Sequence, residues 1–219
     1  MMICHSHKFI FIHVPKVSGT SIKDALGETL YNGANEAEFQ ISPNPHYPPR
    51  YSAPFDEHIT ASELRSRLSA EIWSSYFKFG FVRHPFSWAV SNYFFFLRDR
   101  RDHPAHDFLE SQGFKGAIRF FLESSNSSSS TVEGMRLRQS EFLCDDEGNT
   151  LVDFIGKYES VDEDFATVCR CVGLAPIQLP KLNQTRHRPF RDYYDEDLRT
   201  LVYEGMIEDF RCFGYSSAG

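Results

Sequence analysis

The sequence has no apolar run near the ~20 residues that a membrane-spanning helix needs, and it has no excess of basic residues. Lys and Arg number 23 against 30 Asp and Glu, a net charge of −7 over 219 residues. The first absence argues for a soluble chain without a transmembrane segment. The second argues against a nucleic-acid binder, so any anion site must be local. The cysteines, Cys4, Cys144, Cys169, Cys171 and Cys212, are odd in number and lack the paired C-x-x-C spacing of a zinc or redox site, which predicts reduced thiols. Met1 to Lys8 holds no charged and apolar leader, so secretion by a signal peptide is not expected and a cytoplasmic location is.

A complete Walker loop, G-x-x-x-x-G-K-[ST], is also missing. So is a strand-end Asp of the kind that holds Mg²⁺ in phosphoryl transfer. Asp162-Glu163-Asp164 and Asp195-Glu196-Asp197 have the acidic D-x-D form but fall at predicted helix starts, where carboxylates cap and complement the dipole. No metal is expected.

What is present is a large apolar complement, 41% hydrophobic with 21 Phe and 10 Tyr, ample for one domain with a real core. The run Phe9–Val14 reads as a buried strand. It meets Pro15-Lys16-Val17-Ser18-Gly19-Thr20-Ser21 and then a helical pattern over Ser21–Leu30. A strand, a polar loop with one lysine and a helix N-terminus gather N–H groups, two hydroxyls and an ammonium around one point. That chemistry suits a phosphate or sulfate ester.

The pattern repeats once. Tyr76–Val82 reads as a second buried strand, Arg83-His84-Pro85 as its corner, and Pro85–Phe96 as the helix that follows. Ser91 lies two helical turns beyond Arg83. Between the corners, Asn32–Phe55 is a long Pro-, Asn- and Tyr-rich loop, and Thr60-Ala61-Ser62-Glu63 is a capping box opening a helix over Ala61–Ser74. His58 sits between that loop and that helix, placed as a base for an attacking hydroxyl, with Asp56, Glu57 and His46 as nearby substitutes. Further along, Arg98–Glu133 is irregular around a helix at Phe114–Leu122. Ser140–Cys144 and Thr150–Tyr158 flank a turn and predict a β-hairpin. Ser160-Val161-Asp162-Glu163 reads as a second capping box, and Asp195–Phe210 as a closing helix. Arg186-His187-Arg188 with Arg191 offers a basic rim, and Tyr193 or Tyr194 a stacking surface. Strands alternating with helices predict a single α/β domain over residues 1–219, P-loop-like and three-layered. A short central parallel sheet lies between its helices, with a β-hairpin added.

His13-Val14-Pro15-Lys16-x-x-Gly19-Thr20-Ser21, followed by Phe81-Val82-Arg83-His84-Pro85-Phe86 through Ser91-x-Tyr93, resembles the carbohydrate-type sulfotransferases, including their smaller bacterial members. Glu57–Leu64, Val152–Glu159 and Asp209-Phe210-x-x-Phe213-Gly214-Tyr215 resemble further segments of those proteins in the same order. The resemblance implies transfer of a sulfuryl group from 3′-phosphoadenosine 5′-phosphosulfate (PAPS) to an acceptor hydroxyl, first of all of a carbohydrate. Pro15, Lys16, Val17, Ser18, Gly19, Thr20 and Ser21 would hold the 5′-phosphosulfate. Arg83 and Ser91 would hold the 3′-phosphate, with Arg186 on the nucleotide's rim. Lys16 and His58 would be catalytic, and Asn32–Phe55 and Arg98–Glu133 would face the acceptor. Family loops often read Pro-Lys-Thr-Gly-Gly-Thr, and Val17-Ser18 replace the Thr-Gly step here. Two other readings fit the same residues: a nucleotide kinase with an atypical P-loop, and a nucleotide- or glycan-binding module without turnover.

Overall fold

The structure, a computed structural model, describes residues 1–31, 39–41, 53–125, 138–180, 182 and 187–217. In chain order its elements are β1 (Met2–Cys4), β2 (Phe9–Ile12), α1 (Gly19–Tyr31), β3 (Phe39–Ile41), α2 (Ala61–Arg67), α3 (Ala70–Ser75), β4 (Phe77–Val82), α4 (Pro85–Asp99), α5 (His106–Ser125), α6 (Ser140–Leu143), β5 (Phe154–Lys157), α7 (Val161–Cys171), α8 (Glu196–Gly205) and α9 (Ile207–Phe213). The residues gather into two compact units. One is Met1–Val82 with Ser140–Asn183, and the other is Arg83–Gln139 with Gln184–Gly219.

The first unit is built on a five-stranded open sheet of order β3-β1-β2-β4-β5. Its centre is parallel, with Phe11 beside Phe79 and Phe79 beside Phe154, and its far side is antiparallel. Strands covered on both faces read as unbroken apolar runs rather than alternating ones. β2 is such a strand, with Phe9, Ile10, Phe11 and Ile12 all fully buried. The rings of Phe9 and Phe11 lie 5.8 and 5.1 Å from that of Phe79. Each such ring removed from water contributes roughly 1.5–3 kcal/mol, so this ladder fixes the register of the parallel pair.

Several expectations are corrected by competing local chemistry. Met2–Cys4, which has no strand signal of its own, becomes β1 by forming an antiparallel hairpin with β2. The turn after Cys144 closes with a single antiparallel bridge, Cys144 to Thr150. Ser140–Leu143 is a turn of helix and not a strand, and β5 pairs in parallel with β4. The helix expected over Ala61–Ser74 is two, because Ser69 accepts from Ile72 N–H and starts a second one. Ser160 does not cap α7. Asp164 instead accepts from Lys157 N–H and Ser160 Oγ. The closing helix breaks at Met206 into α8 and α9.

The second unit is all helical among its described residues, and its core is aromatic. Phe86 packs against Tyr194 and Phe210 at 4.9 and 5.2 Å between ring centres, and Tyr194 Oη donates to Phe86 O at 2.8 Å. Burial pushes the Tyr194 phenol far above its ordinary pKa. Tyr194 is half-buried and its hydroxyl is tied to the backbone of α4. α5 is two helical stretches joined at Gly113, whose φ of 62° and ψ of −177° are not helical, and the second stretch contains the helix expected at Phe114–Leu122. All five cysteines are free thiols. Among the described residues no helix is long and apolar enough to cross a membrane.

Candidate active site

The lysine loop of the first unit leaves β2 at its carboxyl end and is anchored by Val14 and Val17, both fully buried. On either side of Val17 two non-glycine residues take left-handed backbone, Lys16 at φ 63° and Ser18 at φ 69°. Each costs on the order of 1 kcal/mol, a strain that surrounding structure must hold in place. Residues alternating between left- and right-handed backbone turn successive N–H groups inward to form an anion cradle. Here the cradle runs directly into α1, whose first helical bond is Ile22 N–H to Ser18 O at 3.0 Å. Lys16 and Thr20 are half-buried, while Ser21 is buried and its Oγ accepts from Leu182 N–H at 3.4 Å.

Gly19 has a packing reason. A Cβ there would lie 1.9 Å from Cδ2 and Nε2 of His13, so the imidazole fills the space that any side chain at 19 would need. His13 sits at the end of β2, 4.6 Å from the His58 ring between centres. Its Nδ1 lies 3.1 Å from Glu57 Oε1. The same oxygen receives the ammonium of Lys23, a residue only 2% exposed on α1. His58 Nδ1 contacts His13 O at 2.9 Å, and its Nε2 lies 4.0 Å from Glu57 Oε2.

The Thr60 cap holds this group in place. Thr60 Oγ1 accepts from Glu63 N–H at 3.1 Å and Glu63 Oε2 accepts from Thr60 N–H at 3.1 Å, so α2 starts where the sequence placed it, three residues beyond His58. A carbonyl oxygen can only accept, so the His58 Nδ1 carries the hydrogen and Nε2 presents its lone pair. The His58 side chain is 41% exposed, open to a substrate. Burial holds His58 below the usual histidine range, and His13 far below it. Both are therefore neutral at pH 7, the state a general base needs. Glu57, close to His13 Nδ1 and paired with Lys23, is held well below the usual carboxylate range.

His13, Glu57 and His58 also present three metal-type ligand atoms within 4.8 Å of one another, but Lys23 already takes up the charge of the carboxylate. Lys23 carries no motif. Its sequence signal is a lysine within the apolar face formed by Ile22, Ala25 and Leu26.

The arginine corner of the second unit is built differently. Arg83 is buried, and its Nε donates to Ser87 Oγ at 2.8 Å. Both edges of its peptide are clamped by one side chain: Arg83 N–H donates to Gln139 Oε1 at 2.7 Å, and Gln139 Nε2 donates to Arg83 O at 2.8 Å. Gln139 is itself held by the fully buried Asp209, whose Oδ2 accepts from Gln139 N–H at 2.8 Å. Ser87 and Ser91, both buried, follow Arg83 at successive four-residue steps along α4. Ser87 is the hydroxyl in contact with the guanidinium, and the sequence reading passed over it. His84 is enclosed by Phe86, Phe190, Phe210 and Tyr215, which gives it a packing role. Tyr193 packs on Phe94 and Phe114 with the Arg188 guanidinium 5.2 Å above its ring. Arg186 and His46 lie outside the described residues, as does most of Asn32–Phe55.

An open, centrally parallel α/β sheet whose strand leads through a lysine-bearing loop into a helix is consistent with the P-loop-like class of folds. The chain belongs to the Sulfotransferase family, whose sequence profile matches residues 1–216. It is also similar to carbohydrate sulfotransferase 10 of Danio rerio, 25% identical over 256 aligned residues that cover 98% of this chain and 66% of that protein. No solved structure matches. The carbohydrate-type resemblance carried by the motifs is thereby borne out.

Proposed function

We propose that the chain transfers a sulfuryl group from PAPS to a hydroxyl, with a carbohydrate as the first candidate acceptor. The observation that carries this reading is the Lys16–Ser21 cradle together with His58, whose Nε2 lone pair is presented on the same unit. Family membership and the similarity to a carbohydrate sulfotransferase support the donor and acceptor classes.

In this reading the Lys16 ammonium and the N–H groups of the cradle stabilise charge gathering on the departing 5′-phosphate as the sulfur–oxygen bond breaks. Fixed donors of this kind are worth several kcal/mol in a transition state. A sulfuryl group in flight carries less negative charge than a phosphoryl group, so this can proceed without a metal. His58 Nε2 takes the proton of the attacking hydroxyl as the new oxygen–sulfur bond forms. Arg83, with Ser87 and Ser91 along its helix, is assigned the nucleotide's 3′-phosphate. The guanidinium is held ready by Ser87 and by the peptide clamp.

Thermal shift separates this from phosphoryl chemistry. Adenosine 3′,5′-bisphosphate without metal should raise the melting temperature, and at a hundredfold excess over Kd the stabilisation is about 2.7 kcal/mol. Stabilisation by ATP with Mg²⁺ and none by the bisphosphate would overturn the reading. Transfer of labelled sulfate from PAPS to a panel of neutral and uronate-bearing glycans tests turnover. Tight bisphosphate binding with no transfer to any of them would favour a binding module.

A further inference from the structure

We propose that Glu57 is the positioning residue of the transfer: a carboxylate locked by Lys23 and His13, whose second oxygen faces His58 Nε2 and compensates the positive charge that His58 gains with the acceptor's proton. The inference rests on the sulfuryl-transfer reading above.

The two oxygens of Glu57 have different neighbours. Oε1 is engaged by the buried Lys23 ammonium and by His13 Nδ1 at 3.1 Å. Oε2 is the oxygen turned toward His58, 4.0 Å from Nε2. A carboxylate engaged in this way is a poor proton acceptor, because protonating it would give up its charge pairing with a buried ammonium. Glu57 is therefore not the base, although it adjoins His58 in sequence, and it remains an anion throughout the reaction.

His58 is oriented from its other side by the carbonyl of His13. When the acceptor O–H gives its proton to Nε2, the acceptor oxygen bonds to sulfur and the sulfur–oxygen bond to the 5′-phosphate breaks. The resulting imidazolium keeps Nδ1–H on His13 O and carries Nε2–H on the side of Glu57 Oε2. No proton passes to Glu57. His13, just beyond β2, and Lys23, on α1, thus link the lysine loop to the base through a single carboxylate.

The charged and titratable groups around His58 act in opposite directions. Burial, the Met1 amine and Lys23 disfavour its protonated form, while the His13 carbonyl and Glu57 favour it. The Met1 amine donates to Glu57 O at 2.8 Å, and the His13 ring, neutral at pH 7, stands 4.6 Å from that of His58. Removing the Glu57 charge leaves the disfavouring groups in place, so His58 must titrate at lower pH.

The test is imidazole NMR on the full chain, wild type against Glu57→Gln, alongside sulfate transfer from PAPS to the glycan panel and adenosine 3′,5′-bisphosphate binding. In the wild type the nitrogen shifts should report the Nδ1–H tautomer at His58. In Glu57→Gln the His58 titration and the acid limb of turnover should both move to lower pH. Turnover should fall roughly tenfold or more, with bisphosphate affinity unchanged within about twofold. An Nε2–H tautomer in the wild type, or an unmoved titration in the variant, overturns the role of Glu57 while leaving the sulfotransferase reading intact. Absence of transfer by the wild type removes the reading and overturns both. If the single variant does not fold, Glu57→Gln with Lys23→Met removes the ion pair whole. Wild-type turnover in that double variant also overturns the proposal.

Discussion

Two strand-to-helix corners, one in each unit, hold a basic residue by different means. At the lysine corner the backbone is strained, with two non-glycine residues in left-handed conformation, and the surroundings are charged, with Lys23, Glu57 and two imidazoles in contact. At the arginine corner no residue takes left-handed backbone, and the peptide is held by a neutral amide backed by one buried carboxylate. The first arrangement suits a step in which charge moves. The second suits holding a fixed charge that does not change during the reaction.

Exchanging the corners' functions in experiment gives the largest expected effect. Lys16→Ala should lower turnover about 10²–10³-fold, the cost of losing one preorganised donor to a developing charge. Arg83→Ala should instead weaken binding of adenosine 3′,5′-bisphosphate, with a smaller loss in turnover at saturating nucleotide. Equal losses of turnover at saturation would erase the distinction between the two corners.

Next in size is Asp209→Ala, which leaves Gln139 N–H buried without its acceptor and loosens the clamp on Arg83. Its expected cost is about 1–3 kcal/mol of stability by denaturant unfolding, accompanied by weaker bisphosphate binding. A variant as stable as the wild type would show that the clamp is not held in this way.

The backbone strain of the lysine corner can be probed in both directions. Gly19→Ala drives a methyl into the His13 ring and should cost about 1–3 kcal/mol. Ser18→Gly should change stability by about 1 kcal/mol or less, in the stabilising direction, as relief of the left-handed conformation outweighs the freedom that glycine adds to the unfolded chain. Destabilisation by Ser18→Gly would mean that its side chain, not its backbone angle, sets the loop.

What was legible in the sequence was local. The strand-loop-helix junction at Lys16, the Pro85 start of α4 and the Thr60 capping box each lie within a dozen residues, and each is found where its pattern placed it. What was not legible depends on distant partners. β1 is a strand only because β2 offers it a ladder. Lys23 and Glu57 are 34 residues apart in sequence, and Gln139 reaches Arg83 and Asp209 across 56 and 70 residues. The capping signature at Ser160 failed because its hydroxyl donates to Asp164 instead of accepting from the helix N-terminus. Ser87, whose Oγ accepts from Arg83 Nε, was not singled out, because its contact depends on where the guanidinium folds back. The motif order that carried the family resemblance covers segments whose long-range role the structure now supplies: Asp209 anchors the Arg83 clamp, and Phe210 and Tyr215 enclose His84.

The imidazole that occupies the room above Gly19 makes positions 13 and 19 a coupled pair. A bulkier residue at 19 becomes tolerable only in a chain whose residue 13 has already become smaller. His13→Ala should therefore act as a second-site suppressor of the folding defect of Gly19→Ala, and the double variant should be more stable than the sum of the single effects allows. Divergence at this corner would then have to proceed through the smaller residue first, which makes the order of the two substitutions as consequential as their identity.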